Sequence, residues 1–121
     1  MVSQVDLLAS FRQLLKVKSP ANEQLDSENQ WNTLVGKDAK GRSYVVEHAN
    51  GLALVKGKWK YIEPRNGPKL FKEVNIESGY DGVPQLYDLE KDPGERLNVA
   101  EKNLDVLREM VELLERVRKA G

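Results

Sequence analysis

Apolar residues recur at helical spacing near both ends of the chain. An apolar side chain every three or four residues forms a stripe along one face of an α-helix. The pattern predicts one helix over about residues 3–16, begun by a capping box of Ser3 and Asp6, and another over about 102–119. A short helical turn ending at Gly36 is expected between them. The stripe residues are Leu7, Leu8, Phe11, Leu14 and Leu15 in the first helix and Leu104, Leu107, Met110, Val111, Leu114 and Val117 in the last.

The middle of the chain, from Arg42 onward, has a period of two, which is typical of β-strands. Compact turn dipeptides, Asn50-Gly51 and Lys56-Gly57, separate the first three runs and predict an antiparallel meander. The polar segment before the last run is expected to include a brief strand over 70–74. The four runs are RSYVVEHA, LALV, KWKYIEP and PQLYDL.

These elements together predict an α+β fold. We expect an antiparallel sheet of about four strands, packed against a long C-terminal helix and preceded by an N-terminal helix. The length of 121 residues suits a single domain. Within that domain, residues 1–36 would form a helical connecting segment, residues 42–89 the sheet and residues 98–120 the C-terminal helix.

The third strand should have one packed face and one partly wet face. Trp59 and Tyr61 lie on the first face, and Lys60 and Ile62 lie on the second, because side chains alternate along a strand. Trp59 and Tyr61 are better explained as core residues than as a platform for stacking bases, since no basic patch surrounds them.

Charge and composition exclude several classes of function. The 19 basic and 19 acidic residues are interspersed, which predicts no nucleic-acid partner and no membrane surface. No run of 18 apolar residues is present, so we expect no membrane-spanning helix. Cysteine is absent from the chain, which excludes disulfides, thiolate metal sites and a cysteine nucleophile within it.

The acidic stretch LYDLEKDPGERLNVA, residues 86–100, has the composition of a calcium-binding loop. Placing Asp88 at position one of an EF-hand requires glycine at position six and glutamate at position twelve. Those positions hold Pro93 and Val99, so the spacing does not fit. An acid/base pair is also disfavoured, because nothing in the sequence predicts the burial that would separate two carboxyl pKa values.

A structural interpretation of the same stretch is favoured. Residues 92–95, Asp-Pro-Gly-Glu, predict a turn, and Asn98 with Glu101 predicts a capped helical start. His48, the only histidine, lies at a predicted strand end beside the Asn50-Gly51 turn. For a lone histidine, a structural or solvent-facing role is favoured over contact with a ligand. No glycine-rich phosphate loop occurs.

The order of the segments resembles the C-terminal portion of a sulfatase of the arylsulfatase type. The strongest elements are LALVKGKWKYI followed by QLYDLEKDPGERLNVA, and the resemblance covers nearly the whole chain. It implies a small C-terminal subdomain with a four-stranded sheet and a packed helix. It also implies a partner, the catalytic sulfatase domain of the same polypeptide, whose substrate would be a sulfated carbohydrate or an aryl sulfate. By the same resemblance, the parent protein would be exported or periplasmic, and His48 and Asn50 would face the substrate.

Sulfatase chemistry itself is expected outside this chain. Members of the family use calcium and a formylglycine, which matures from a Cys/Ser-x-Pro-x-Arg motif in the large N-terminal domain. None of the 5 prolines has cysteine or serine two positions before it, so the chain alone should not hydrolyse sulfate esters. The residues at those positions are Lys18, Ile62, Asn66, Gly82 and Lys91.

Two other functions are compatible with the residues. One is a stand-alone binding or interaction module that uses the sheet face or an exposed apolar seam. The other is a small enzyme that uses the acidic loop, with Asp92 and Glu95 as its reactive groups. If the sulfatase resemblance holds, the first helix would press part of its apolar stripe on the catalytic domain. The isolated chain should then expose that stripe and self-associate.

Overall fold

The computed structural model describes residues 1–18, 26–48 and 51–120, which fall into two compact units. The first unit is Met1–Val45 and contains two helices, α1 (Asp6–Leu15) and α2 (Trp31–Leu34). The second unit is Val46–Gly121 and contains most of the sheet and the long helix. The expectation that residues 1–121 form a single domain stays a prediction.

Helix α1 begins and ends with local hydrogen bonds that its sequence provides. The Ser3 N–H donates to Asp6 Oδ2 at 2.8 Å, as a capping box requires, but the helix begins at Asp6 and its cap residue is Val5, so the predicted start at residue 3 is three residues too early. At the other end Lys16 is left-handed, with a φ of 56°, and its N–H donates to a carbonyl of the last turn. Helix α2 ends at Leu34, two positions before Gly36, whose φ of +73° is in the left-handed region and ends the short helical turn.

The buried face of α1 is polar, which the sequence did not predict. Asp6 and Ser10 are both 0% exposed. They accept backbone N–H groups from the segment before α2, Glu28 to Asp6 Oδ1 and Gln30 to Ser10 Oγ, each at 2.9 Å. The apolar stripe of α1 is exposed: Leu7 36%, Leu8 46%, Phe11 48%, Leu14 47% and Leu15 69%.

The predicted α+β fold is confirmed by a four-stranded antiparallel sheet and a long C-terminal helix. The strand order is β1-β2-β3-β6, so the first three strands form the expected meander. A separate two-stranded sheet pairs β4 with β5, in the segment that was expected to hold one brief strand. The strands are β1 (Val45–His48), β2 (Leu52–Lys56), β3 (Trp59–Ile62), β4 (Leu70–Phe71), β5 (Ile76–Glu77) and β6 (Gln85–Asp88).

The core of the second unit lies between the sheet and helix α3 (Leu104–Ala120). Across the central strands Leu54 is opposite Tyr61, and Tyr61 is opposite Leu86. These three side chains are at most 4% exposed, and they are covered by Met110 and Leu114 of α3. Tyr61 is therefore a core residue, as its position in the strand predicts. Burying apolar side chains of this size contributes about 2 kcal/mol each.

One boundary in the second unit differs from the prediction, and one predicted turn is confirmed. The C-terminal element predicted over 98–120 consists of a 3-10 helix (Ala100–Lys102) followed by α3, which begins at Leu104. The β2–β3 turn contains Gly57 with a φ of +57°, as the Lys56-Gly57 dipeptide predicts. The other predicted turn dipeptide includes Asn50, which lies outside the described residues. No described helix is both long and apolar enough to cross a membrane.

Candidate functional site

A cleft of about 210 Å³ opens on the face of the sheet opposite α3. Tyr61 points to the helix, so its neighbours on β3, Lys60 and Ile62, lie on the cleft side. The sequence predicted a partly wet face at these two positions, and the structure confirms it. Loops complete the cleft with Tyr80 and Glu95, which are distant from β3 in sequence.

Lys60 is the central cation of the cleft. Its side chain is 18% exposed, and its Nζ lies 2.7 Å from Glu95 Oε1 and 3.8 Å from Glu47 Oε2. Glu95 has a φ of 53°, in the left-handed region, which a residue with a side chain seldom adopts. The Lys60 ion pair therefore coincides with an unusual backbone conformation in the loop after β6.

Glu63 stands at the edge of the cleft in a fixed position. Its Oε1 accepts the Leu52 N–H at 2.8 Å, and its Oε2 pairs with the Arg118 guanidinium. Burial by itself raises the pKa of Glu63, but the Leu52 N–H and Arg118 outweigh that effect and hold the pKa below its ordinary value. Glu63 is consequently an ionised acceptor at neutral pH.

Tyr80 forms one wall of the cleft, and two neighbours approach its ring. The ring meets Phe71 in a T-shaped contact, with ring centroids 6.1 Å apart and an angle of 75°. A Cβ added at Gly67 would be 2.4 Å from Tyr80 Cδ2, so only glycine fits at position 67. The adjacent Gly79 carbonyl accepts Gln85 Nε2 at 2.9 Å, which ties this loop to β6.

His48, one of the two residues predicted to face a substrate, does not line this cleft. His48 is the last residue of β1 and is exposed, so its predicted place at a strand end is confirmed. Its neighbour Glu47 lines the cleft, whereas His48 is not among the lining residues. Asn50 lies outside the described residues. Contact of His48 and Asn50 with a substrate stays a prediction.

The acidic stretch forms the connection from the last strand to the last helix. The Asp92 carboxylate accepts the N–H groups of Arg96 and Leu97, each at 2.8 Å, and closes the predicted turn. Asp88 pairs with Lys58 at 3.1 Å. Within residues 1–18, 26–48 and 51–120, no group of three acidic or histidine side chains is placed to hold a metal ion. The carboxylates of Asp88, Asp92 and Glu95 in this stretch accept backbone N–H groups or pair with lysines.

Asn98 joins three parts of that connection through one amide. Its Oδ1 accepts the N–H groups of Leu86 and Ala100 at 3.0 Å each, and its Nδ2 donates to the Pro84 carbonyl at 3.0 Å. Asn98 thus contacts the first residue of the 3-10 helix, whereas the cap position itself is Val99, which makes no side-chain hydrogen bond there. Asn98 also joins β6 to that helix, a role that the sequence pattern did not indicate.

Comparison with known proteins identifies similar chains over nearly the full length. No protein-family model matches. The chain is 48% identical over 118 residues to an N-acetylgalactosamine-6-O-sulfatase of Bacteroides thetaiotaomicron, covering 96% of this chain and 23% of that protein. An alignment of 118 residues includes both LALVKGKWKYI and QLYDLEKDPGERLNVA, the two segments on which the sulfatase resemblance mainly rests.

Solved structures give the same result for the fold. A sulfatase structure from work on glycosaminoglycan metabolism by Bacteroides thetaiotaomicron has a TM-score of 0.91 and 47% identity, covering 97% of this chain and 25% of that one. A 2-O GAG sulfatase has a TM-score of 0.64 and 28% identity, covering 95% of this chain and 24% of that one. The chain therefore spans about a quarter of the length of these relatives.

Proposed function

Because the chain has the sequence and fold of a C-terminal sulfatase subdomain, we propose that it supports the catalytic domain of a sulfuric ester hydrolase. The observation that carries this proposal is 48% identity over 118 residues to a curated sulfatase. The chain is a fragment relative to those proteins, since it matches about a quarter of their length. The calcium ion and the formylglycine would then belong to the catalytic domain, and this chain would shape the substrate cleft beside them.

The substrate proposed for the parent enzyme is a 6-sulfated N-acetylgalactosamine unit. The name of the curated relative supports this choice, and the 2-O GAG sulfatase supports the wider class of sulfated glycosaminoglycan. His48 is proposed to face this substrate because it is exposed at the end of β1. Asn50 is proposed with it on sequence grounds alone.

The supporting role is assigned to the exposed apolar stripe of α1. Its five members range from 36% to 69% exposed, although the buried side of the helix carries Asp6 and Ser10. A helix that turns its polar side inward and its apolar side outward lacks a protein surface to cover the apolar side. We assign that surface to the catalytic domain, because about three-quarters of the length of each relative lies outside the match.

A chimera tests the proposed function directly. In the Bacteroides N-acetylgalactosamine-6-O-sulfatase, the matched 23% of the protein would be replaced by this chain. Sulfate release from N-acetylgalactosamine 6-sulfate is then measured for the chimera, for the intact relative and for the relative lacking that portion. We expect the chimera to be active and the truncated protein to be inactive. A folded chimera without activity would contradict the proposal and would favour a stand-alone module.

Matched variants within the chimera test the assignment of the α1 stripe. Leu15→Ser alters the most exposed side chain of the stripe, and Gln13→Ser alters an exposed polar residue of the same helix. Leu15→Ser should lower the melting temperature and the yield of active chimera, whereas Gln13→Ser should change neither. Equal behaviour of the two variants would remove α1 from the proposed interface.

A further inference from the structure

The cleft beside Lys60 retains hydrogen-bonding capacity on several fixed groups. An ammonium group has three donors, of which Glu95 and Glu47 occupy at most two. An ionised carboxylate has about four acceptor sites, so Glu95 and Glu63 can each accept further hydrogen bonds. Donors and acceptors are thus available side by side in one small cavity.

The charge of the lining decides which ligands are compatible. Four lining residues are glutamates, Glu47, Glu63, Glu77 and Glu95, against one lysine and one arginine. Even with Arg118, which pairs with Glu63 Oε2, the four carboxylates outnumber the three cations, so an anionic sulfate or uronate in the cleft would be disfavoured. Neutral hydroxyl and amide groups are compatible with the lining. A hydroxyl, for example, can donate a hydrogen bond to a glutamate and accept one from Lys60.

The shape of the cleft agrees with a single small ring. Its volume of about 210 Å³ is below the range of about 300–1,000 Å³ that is usual for drug-sized ligands. Tyr80 provides an aromatic wall held by Phe71, and Ile62 adds an apolar patch on the sheet. An apolar wall with a few polar groups opposite it suits a molecule that has C–H bonds on one side and hydroxyls around its edge.

We infer that this cleft binds an unsulfated, neutral sugar unit of a polymeric substrate. The inference rests on the proposed function, which supplies a sulfated polysaccharide as substrate. In that setting the cleft would recognise a unit of the chain other than the one that carries the reacting sulfate. It would act in substrate selection and would take no part in the hydrolysis.

The test is an NMR titration of this chain with two probes, N-acetylgalactosamine and N-acetylgalactosamine 6-sulfate. The neutral sugar should shift the amide signals of Lys60, Gly79 and Tyr80, with an affinity in the millimolar range, and the 6-sulfate should bind more weakly at low salt. Shifts confined to other residues, or tighter binding of the 6-sulfate in the cleft, would overturn the inference.

Variants on the two faces of the sheet provide the control. Lys60→Met removes the central cation, and Lys56→Met removes a lysine of the neighbouring strand that pairs with Glu109 on the helix side. Lys60→Met should weaken binding about tenfold or more, and Lys56→Met should leave it unchanged. Glu95→Ala provides a second cleft variant in case Lys60→Met disturbs the fold. Equal affinities for the cleft and control variants would contradict the site.

The titration tests the cleft assignment, and the chimera assay tests the proposed function, so the two proposals can be contradicted independently. An active chimera whose donated chain does not bind the sugar would overturn the cleft assignment and leave the proposed function intact. Sugar binding in the cleft together with an inactive chimera would keep the site, and would remove its connection to a sulfated substrate.

Discussion

At the scale of single residues, Asp6 is the side chain on which the first unit depends most. It is fully buried, and Arg42 Nε lies 2.8 Å from both of its carboxylate oxygens. Burial raises its pKa, but the hydrogen bonds from Arg42, Glu28 and Ser3 outweigh burial and lower the pKa from 3.8 to about 2. A buried carboxylate that remains ionised in this way is stabilised only in the folded chain.

The sign of the pH effect follows from that pKa. Because the folded pKa of about 2 lies below the ordinary value of 3.8, the contribution of Asp6 is present above about pH 4. It is lost as the pH falls towards 2. We expect the free energy of unfolding to decrease by about 2 kcal/mol over this interval through Asp6 alone. The measurement is urea unfolding of this chain at a series of pH values.

The variant Asp6→Asn shows how much of the pH-dependent decrease in the free energy of unfolding is due to Asp6. The substitution leaves Arg42 mostly buried without its counter-charge and should cost about 3–5 kcal/mol at neutral pH. It should also remove the Asp6 share of the decrease between pH 4 and pH 2. Asp38→Asn is the control, since Asp38 is exposed and the amide keeps its hydrogen bond from the Lys40 N–H. A variant with the same pH dependence as the unmodified chain would contradict the assignment.

At the scale of elements, the sequence predicted most of the regular structure correctly. The alternation in KWKYI and the 3.6-residue period of α3 each reflect one face buried against the other, so the pattern and the packing agree. The β2–β3 turn could also be predicted from the sequence, because Gly57 supplies the positive φ that such a turn needs. Local periodicity and local backbone preference were sufficient for these elements.

Other features depend on contacts that no local pattern carries. The exposed apolar stripe of α1 agrees with the prediction for the isolated chain. Its polar buried side was not predicted, because Asp6 and Ser10 accept N–H groups from residues about twenty positions away. The cleft combines Lys60 of a strand with Tyr80 and Glu95 of two loops. His48 was selected from its strand end, whereas the lining residue is its neighbour Glu47. Side chains on loops are positioned by tertiary contacts, so their spacing in sequence was uninformative.

The β2–β3 turn offers a prediction at the same scale. Gly57 has a φ of +57°, and nothing lies within 4 Å of a Cβ placed there, so conformation alone restricts the position. Gly57→Ala should lower the free energy of unfolding by about 1 kcal/mol, and Gly57→Asn by less, because asparagine tolerates the left-handed region better. Thermal unfolding followed by circular dichroism measures both. Equal stability of the alanine variant and the unmodified chain would show that the turn does not need glycine.

At the scale of the whole molecule, the apolar side of α1 is the feature that the two units leave unexplained. Leu15 and Phe11 are 69% and 48% exposed, and Leu8 is 46% exposed on the same helix. Single exposed leucines are ordinary, but a continuous stripe on one helix indicates a surface for another protein. Under the proposed function, that surface is the catalytic domain of the parent enzyme. In a solution of the isolated chain, another copy can cover the stripe.

The isolated chain should therefore associate with itself as its concentration rises. Light scattering after size exclusion should give an average mass above the 13.7 kDa of one chain, with the excess growing with concentration. The double variant Phe11→Ser, Leu15→Ser should shift the mass towards 13.7 kDa, because it removes two large members of the stripe. Leu97→Ser is the control, since Leu97 is 62% exposed in the second unit and lies far outside α1 in sequence. If the unmodified chain is strictly monomeric at high concentration, the exposed stripe does not hold two copies together. If Leu97→Ser lowers the mass as strongly as the double variant, the copies associate through a surface other than the α1 stripe.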